Sequence, residues 1–142
     1  MRLVWGLDRQ VADFVAAQFP LVVERGGFKH AKAVGLADDN DVLVGGLAVS
    51  EYRGHDAELS IYLAKYNGLT RGLIRDVFDW AFNELKVLRL TCKIAKRNKR
   101  SRRLAEGMGF RLEGTMKLGF DNGTDDQCIY GMTRHDCKWI GK

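Results

Sequence analysis

The sequence predicts an α+β fold, a mixed and mostly antiparallel twisted sheet flanked by helices in the order β-α-β-β-β-α-β-α-β-β. Three observations carry it. Strand-like runs at residues 30–37, 42–52 and 57–64 follow one another across connections too short for a crossover, which imposes an antiparallel meander. An amphipathic helix over 69–85 then separates the meander from an apolar strand at 87–94, and that strand–helix–strand order calls for a right-handed crossover between parallel neighbours. Two last strands, 110–120 and 127–134, are joined by a hairpin of turn residues at 121–126.

Residues 2–5 form a short β-like run, after which Asp8 caps a helix whose Val11, Phe14, Val15 and Phe19 recur at helical spacing and which Pro20 stops. Residues 21–29 read as a loop: Leu21, Val22 and Val23 suit either a strand or a helical turn, and Gly26 and Gly27 break the pattern. The run 57–64 alternates, with Leu59, Ile61 and Leu63 on one face and Glu58, Ser60 and Tyr62 on the other, so a carboxylate, a hydroxyl and a phenol stand in a row. In the long helix, Leu69, Leu73, Ile74, Val77, Phe78, Ala81 and Leu85 make one apolar stripe. A further helix over 99–108 is capped by Asn98 and closed by Gly109, with Leu104 and Met108 turned inward.

With 142 residues, 46% of them hydrophobic and 29% charged, the chain suits one globular domain over 1–142 whose core needs no metal or disulfide. Cys92, Cys128 and Cys137 are odd in number and lack paired clustering, which fits a reducing cytoplasm. His135 and Cys137, with Cys128 the only other ligand type nearby, do not make a metal site, and none is expected. No apolar stretch has the length of a signal peptide or membrane span. The net charge of +5 is concentrated in Lys93, Lys96, Arg97, Lys99, Arg100, Arg102 and Arg103, within eleven residues free of acids. Such a cluster binds phosphate on a cofactor or nucleic acid, or is a solvated helix face with favourable charge near its C-terminal end.

The segment from Asn98 through Ser101, Leu104, Glu106, Gly109 and Phe110 to Glu113 and Gly114 resembles the N-x-x-S-x-x-L-x-E-x-x-G-F-x-x-E-G stretch of the ribosomal-protein N-terminal acetyltransferase branch of the GNAT superfamily. The element order resembles that superfamily too, over most of residues 32–139, and the chain is also similar to small GNAT-like proteins encoded in bacterial and phage genomes. The resemblance implies the acyl-CoA N-acyltransferase fold, acetyl-CoA as cosubstrate, and acetyl transfer to a primary amine by direct attack in a ternary complex. The acceptor would be a small-molecule amine, a lysine or a protein N-terminus.

The cofactor-binding residues it implies are Gly68, Leu69, Thr70 and Arg71 for the pyrophosphate, at a helix N-terminus whose dipole and N–H groups suit an anion. The family loop Q/R-x-x-G-x-G/A is here Lys65-Tyr66-Asn67-Gly68-Leu69-Thr70, which keeps the central glycine and loses the flanks; a plain Asn-Gly turn is the other reading. In the superfamily the strands before this loop and after the long helix splay apart, so Tyr62 and Leu63 are the implied backbone contacts of pantetheine, and Asn98 contacts the same arm.

Amine acetylation needs a base, a polarised carbonyl and a proton for the departing thiolate. Glu58 is the candidate base, backbone N–H groups near Leu63 polarise the carbonyl, and Ser101, by the family match, protonates the thiolate; Tyr62 and Tyr130 stand in reserve. Cys92 belongs to an apolar strand pattern and carries no intermediate. The acceptor pocket is expected near residues 20–29 and 120–127, where Asp121, Asp125 and Asp126 either attract a cationic amine or are simply turn residues. Seven clustered cations exceed what one cofactor needs, leaving open an anionic acceptor such as a charged tRNA. A monomer or homodimer with no membrane partner is expected. The competing function is a non-catalytic GNAT-like module that binds a protein or nucleic acid with a degenerate cofactor loop.

Overall fold

Local signals become eleven elements in the computed structural model, which describes residues 1–65 and 68–141. They are β1 (Arg2–Val4), α1 (Asp8–Ala16), α2 (Pro20–Glu24), β2 (Lys32–Ala37), β3 (Leu43–Ser50), β4 (Asp56–Leu63), α3 (Arg71–Asp79), β5 (Arg89–Ala95), α4 (Lys99–Met108), β6 (Arg111–Phe120) and β7 (Asp125–Thr133). The strands form one sheet in the order β1-β2-β3-β4-β5-β7-β6. Every neighbouring pair is antiparallel except β4 with β5, which run parallel as the crossover requires.

Three local expectations change. Asp8 does not cap α1: Leu7 holds that position without a side-chain bond, and the Asp8 carboxylate accepts the Ala33 N–H at 3.0 Å, tying the helix to β2. Pro20 does more than end a helix, because it opens α2, where a missing N–H costs nothing; the helical alternative for residues 21–23 is the one adopted. The long helix begins at Arg71, since the Thr70 hydroxyl accepts the Leu73 N–H at 3.2 Å. It ends in a π turn over Trp80–Glu84, where the Leu85 N–H reaches the Trp80 carbonyl at 2.9 Å. That wider turn brings Trp80, Ala81 and Phe82 into the core together.

The two faces of the sheet are covered differently. Leu59 and Leu63 of β4, Leu90 and Cys92 of β5, and Cys128, Tyr130 and Met132 of β7 share a core with Val77 and Phe78 of α3 and with Ala105 and Met108 of α4. On the opposite face, Val11, Ala12 and Val15 of α1 pack on Ala33 and Ala48. The helix lies close because the strands beneath carry glycine: a Cβ at Gly46 would meet Val15 Cγ2 at 2.8 Å and Val11 Cγ1 at 3.0 Å. α1 covers β2 and β3 and reaches β4, where Phe14 meets Tyr62 edge to face at 5.9 Å. Beyond β4 this face opens, and edge strand β6 is exposed along nearly its whole length.

Gly46→Ala is expected to cost about 1–3 kcal/mol in equilibrium urea unfolding, because branched valines cannot yield to a new methyl without lifting the helix.

Candidate active site

The register of β4 and β5 builds the site. They pair at Asp56 with Arg89, Ala57 with Leu90 and Glu58 with Thr91, and nowhere further. Past Glu58 each strand stays bound to its other neighbour, β4 to β3 as far as Leu63 and β5 to β7 as far as Ala95. A gap therefore opens between them, about 16 Å long from Glu58 to Leu63 at the usual rise per residue.

Alternation decides which backbone groups line it. The Ala64 N–H bonds to the Val44 carbonyl at 2.7 Å, so even-numbered residues of β4 turn their backbone toward β3 and odd-numbered ones, Ile61 and Leu63, turn toward the gap. Across it, the Lys96 N–H bonds to Asp126 O at 3.0 Å and the Arg134 N–H to Leu88 O at 2.9 Å, which leaves Lys93 and Ala95 as the residues of β5 facing the gap. The Leu63 backbone faces the gap, whereas the N–H and C=O of Tyr62 belong to the β3 ladder and Ile61 faces the gap in its place. A strictly alternating strand offers only every second residue to one edge, a rule that would have excluded Tyr62 once the pairing with β3 was known.

Parallel strands each followed by a helix bring two helix N-termini to the same end of the gap. At α3, Gly68 has φ of 90°, a left-handed conformation that disfavours any side chain, and Leu69 and Thr70 lead from it to Arg71, the first helical residue. Tyr66 and Asn67, the rest of the expected loop, lie outside the described residues. The Thr70 hydroxyl accepts in its cap and still has its proton to donate. At α4, Asn98 caps as predicted, its Oδ1 accepting the Ser101 N–H at 3.2 Å, and Gly109 closes the helix in the left-handed region.

Glu58 and Ser101 belong to opposite faces of the sheet. Glu58 shares its side of β4 with Tyr62, the side on which α1 packs, whereas α4 lies on the other side. The Glu58 carboxylate is not alone: Lys93 Nζ stands 2.7 Å from its Oε1, a pairing that neither strand's pattern announced. On the same face Arg89 and Glu113 form a bidentate pair, Nη1 to Oε2 at 3.0 Å, lying over Gly131, and Arg89 Nε donates to the Thr91 hydroxyl at 3.1 Å.

One reserve, Tyr130, and two turn acids are engaged in contacts that hold the fold. Tyr130 is fully buried, its hydroxyl accepting from Arg102 Nε and donating to Glu106 Oε2, both at 3.0 Å, so it fastens α4 to β7. Burial pushes its phenol above the ordinary range. Asp125 accepts the Arg97 N–H at 2.9 Å, which holds its carboxyl below the usual range, and Asp126 accepts the Leu118 N–H at 2.9 Å. These two acids thus take the turn-residue reading. In the cation cluster Lys93 pairs with Glu58, Arg97 with Asp125, and Arg102 donates to the Tyr130 hydroxyl. The others do not favour a helix C-terminus, since Lys99, Arg100 and Arg103 crowd the first half of α4, the positive end of its dipole. Burial raises the Cys92 thiol to about 12, far from a thiolate nucleophile. Among the described residues no group of three or more His, Cys, Asp or Glu is placed to hold a metal, and no helix is long and apolar enough to cross a membrane.

A gap between parallel strands, ending under two helix N-termini, is the arrangement the sequence resemblance implied. A family profile for the acetyltransferase (GNAT) domain matches residues 7–111. The chain belongs to the GNAT acetyltransferase family. Its donor is accordingly acetyl-CoA, and the family's activity displaces the non-catalytic reading. Solved structures share the fold. Spermidine N-acetyltransferase from Vibrio cholerae in complex with CoA and spermine is 18% identical, with a TM-score of 0.70 over 95% of this chain and 96% of that one. A chimera of the same V. cholerae enzyme, SpeG, with hSSAT is 18% identical, with a TM-score of 0.72 over 99% of this chain and 100% of that one. The ribosomal-protein-S5-alanine acetyltransferase from Vibrio fischeri is 21% identical, with a TM-score of 0.63 over 88% of this chain and 70% of that one. No curated protein sequence matches the chain.

The Arg89 guanidinium holds the Glu113 carboxyl below its ordinary value of 4.5. The pair's stabilisation is therefore complete above that value and is lost as pH falls through the lower folded-state value. Thermal melts from about pH 6 to about pH 3 should show the advantage of the parent over Glu113→Gln shrinking with acidity.

Proposed function

We propose that this acetyltransferase moves the acetyl group of acetyl-CoA directly to a primary amine, of a small molecule, a lysine or a protein N-terminus, with donor and acceptor bound together. The observation that carries the reading is the gap itself: backbone groups of Ile61, Leu63, Lys93 and Ala95 face a channel that ends beneath the N-termini of α3 and α4. An extended amide-bearing arm such as pantetheine satisfies such groups as a strand would. Gly68, Leu69, Thr70 and Arg71 then hold the pyrophosphate, and Asn98 hydrogen-bonds the arm. Lys99 and Arg103 add positive charge near the N-terminus of α4, which suits a phosphate-bearing ligand.

The two faces divide the chemistry. On the open face Glu58 takes a proton from the incoming amine, directly or through water, and Tyr62 lines the approach. A backbone N–H near Leu63 polarises the acetyl carbonyl. On the α4 face Ser101 donates a proton to the departing sulfur. Acetyl-CoA supplies the activated acyl group; the chain supplies position, dipole and proton transfer. Structures of the same fold, one holding CoA and spermine and one of a ribosomal-protein-S5-alanine acetyltransferase, are the reason to screen both polyamines and peptides as acceptors.

Calorimetric titration with acetyl-CoA should give saturable binding by the parent and none by a folded Gly68→Trp variant, whose Cβ strains a backbone at φ of 90° and comes within 3.1 Å of Met1 Cβ. Absence of binding to the folded parent would sink the reading. Cys92→Ala, in contrast, should keep acetyl transfer to the best amine of the screen within about threefold while losing about 1 kcal/mol of stability. Complete loss of transfer in a folded Cys92→Ala would point to a covalent intermediate instead.

A further inference from the structure

We infer that Lys93 is itself an acetyl acceptor, so that the protein modifies its own strand β5. The inference rests on the acetyl-CoA reading above.

The gap closes where Glu58 pairs with Thr91. An arm laid along it can penetrate no further, and the thioester at its tip comes to rest beside the residues just above that closure. Lys93 is one of them. Its backbone lines the gap two residues beyond Thr91, and its side chain emerges on the open face with Nζ 2.7 Å from Glu58 Oε1. The lysine side chain is 45% exposed and the carboxylate 21%, so the amine is held without being buried. Three requirements of an acceptor coincide here: a primary amine, a carboxylate within hydrogen-bond distance to receive its proton, and a position at the edge of the donor channel. Among the described residues no other lysine shows the combination; Lys65 lies 4.0 Å from Asp38, and Lys138 sits over the Trp139 ring.

The step balances with acetyl-CoA as the only co-reactant. Glu58 takes one proton from the Nζ ammonium and passes it to solvent. The freed electron pair forms the N–C bond to the acetyl carbonyl carbon, and the C–S bond breaks. The sulfur leaves as thiolate and receives the second proton shed by nitrogen, giving Nε-acetyl-lysine and CoA thiol. The ammonium becomes a neutral amide, and Glu58 loses the partner that engages it.

The test is intact-mass and peptide-mapping analysis of the purified full chain after incubation with acetyl-CoA, with calorimetric binding of CoA thiol measured on the same preparation. One acetyl group at Lys93 is expected. It should be absent from Lys93→Arg, which keeps a cation beside Glu58, and should form about 100-fold more slowly in Glu58→Gln. CoA binding with Lys93 unmodified overturns this inference alone. Acetyl groups scattered over many lysines at the rate of a heat-unfolded control overturn it as well. Failure to bind CoA overturns the acetyl-CoA reading and the inference together.

Discussion

Everything around the site depends on the interrupted pairing between β4 and β5. Each strand has an antiparallel neighbour that holds it to its end, β3 for one and β7 for the other, and the sheet's twist carries those neighbours apart. Only the parallel contact between the two gives way, after Glu58 and Thr91. A sheet that paired throughout would present no free backbone edge in its middle. The interruption exposes such an edge on both sides of a channel, and the crossover connection sets a helix N-terminus above each side.

Charge is arranged to suit that opening. Cations that look like a single surface run in sequence are sorted by the fold: Lys93 turns to Glu58, Arg97 to Asp125, and Arg102 to the Tyr130 hydroxyl. Lys99, Arg100 and Arg103 stand on the first half of α4, the positive end of its dipole.

Much of the fold was readable residue by residue. Asn98 and Gly109 bracket α4 as helix caps do, the alternation of residues 57–64 matches the two faces of β4, and the hairpin before β7 follows its turn residues. What misled were side chains with more than one partner available. Asp8 has the chemistry of a cap, yet its carboxylate reaches across to Ala33. Asp125 and Asp126 look like a lure for amines, yet backbone N–H groups of Arg97 and Leu118 occupy them. The π turn after Asp79 has no local signature either, because it is adopted to seat Trp80 and Phe82 against Trp5 and Phe78.

By itself the sequence determined the α+β class, the order of the elements apart from α2, the Asn98 and Gly109 caps of α4 and the segment that places the chain beside the GNAT acetyltransferases, since each rests on interactions among residues a few positions apart. Tertiary structure alone decided where β4 and β5 part, which backbone groups face the channel, and that Lys93 comes to stand against Glu58. Those features depend on strand register, and register is set by which strands meet and how the sheet twists, properties of contacts between residues far apart in the chain.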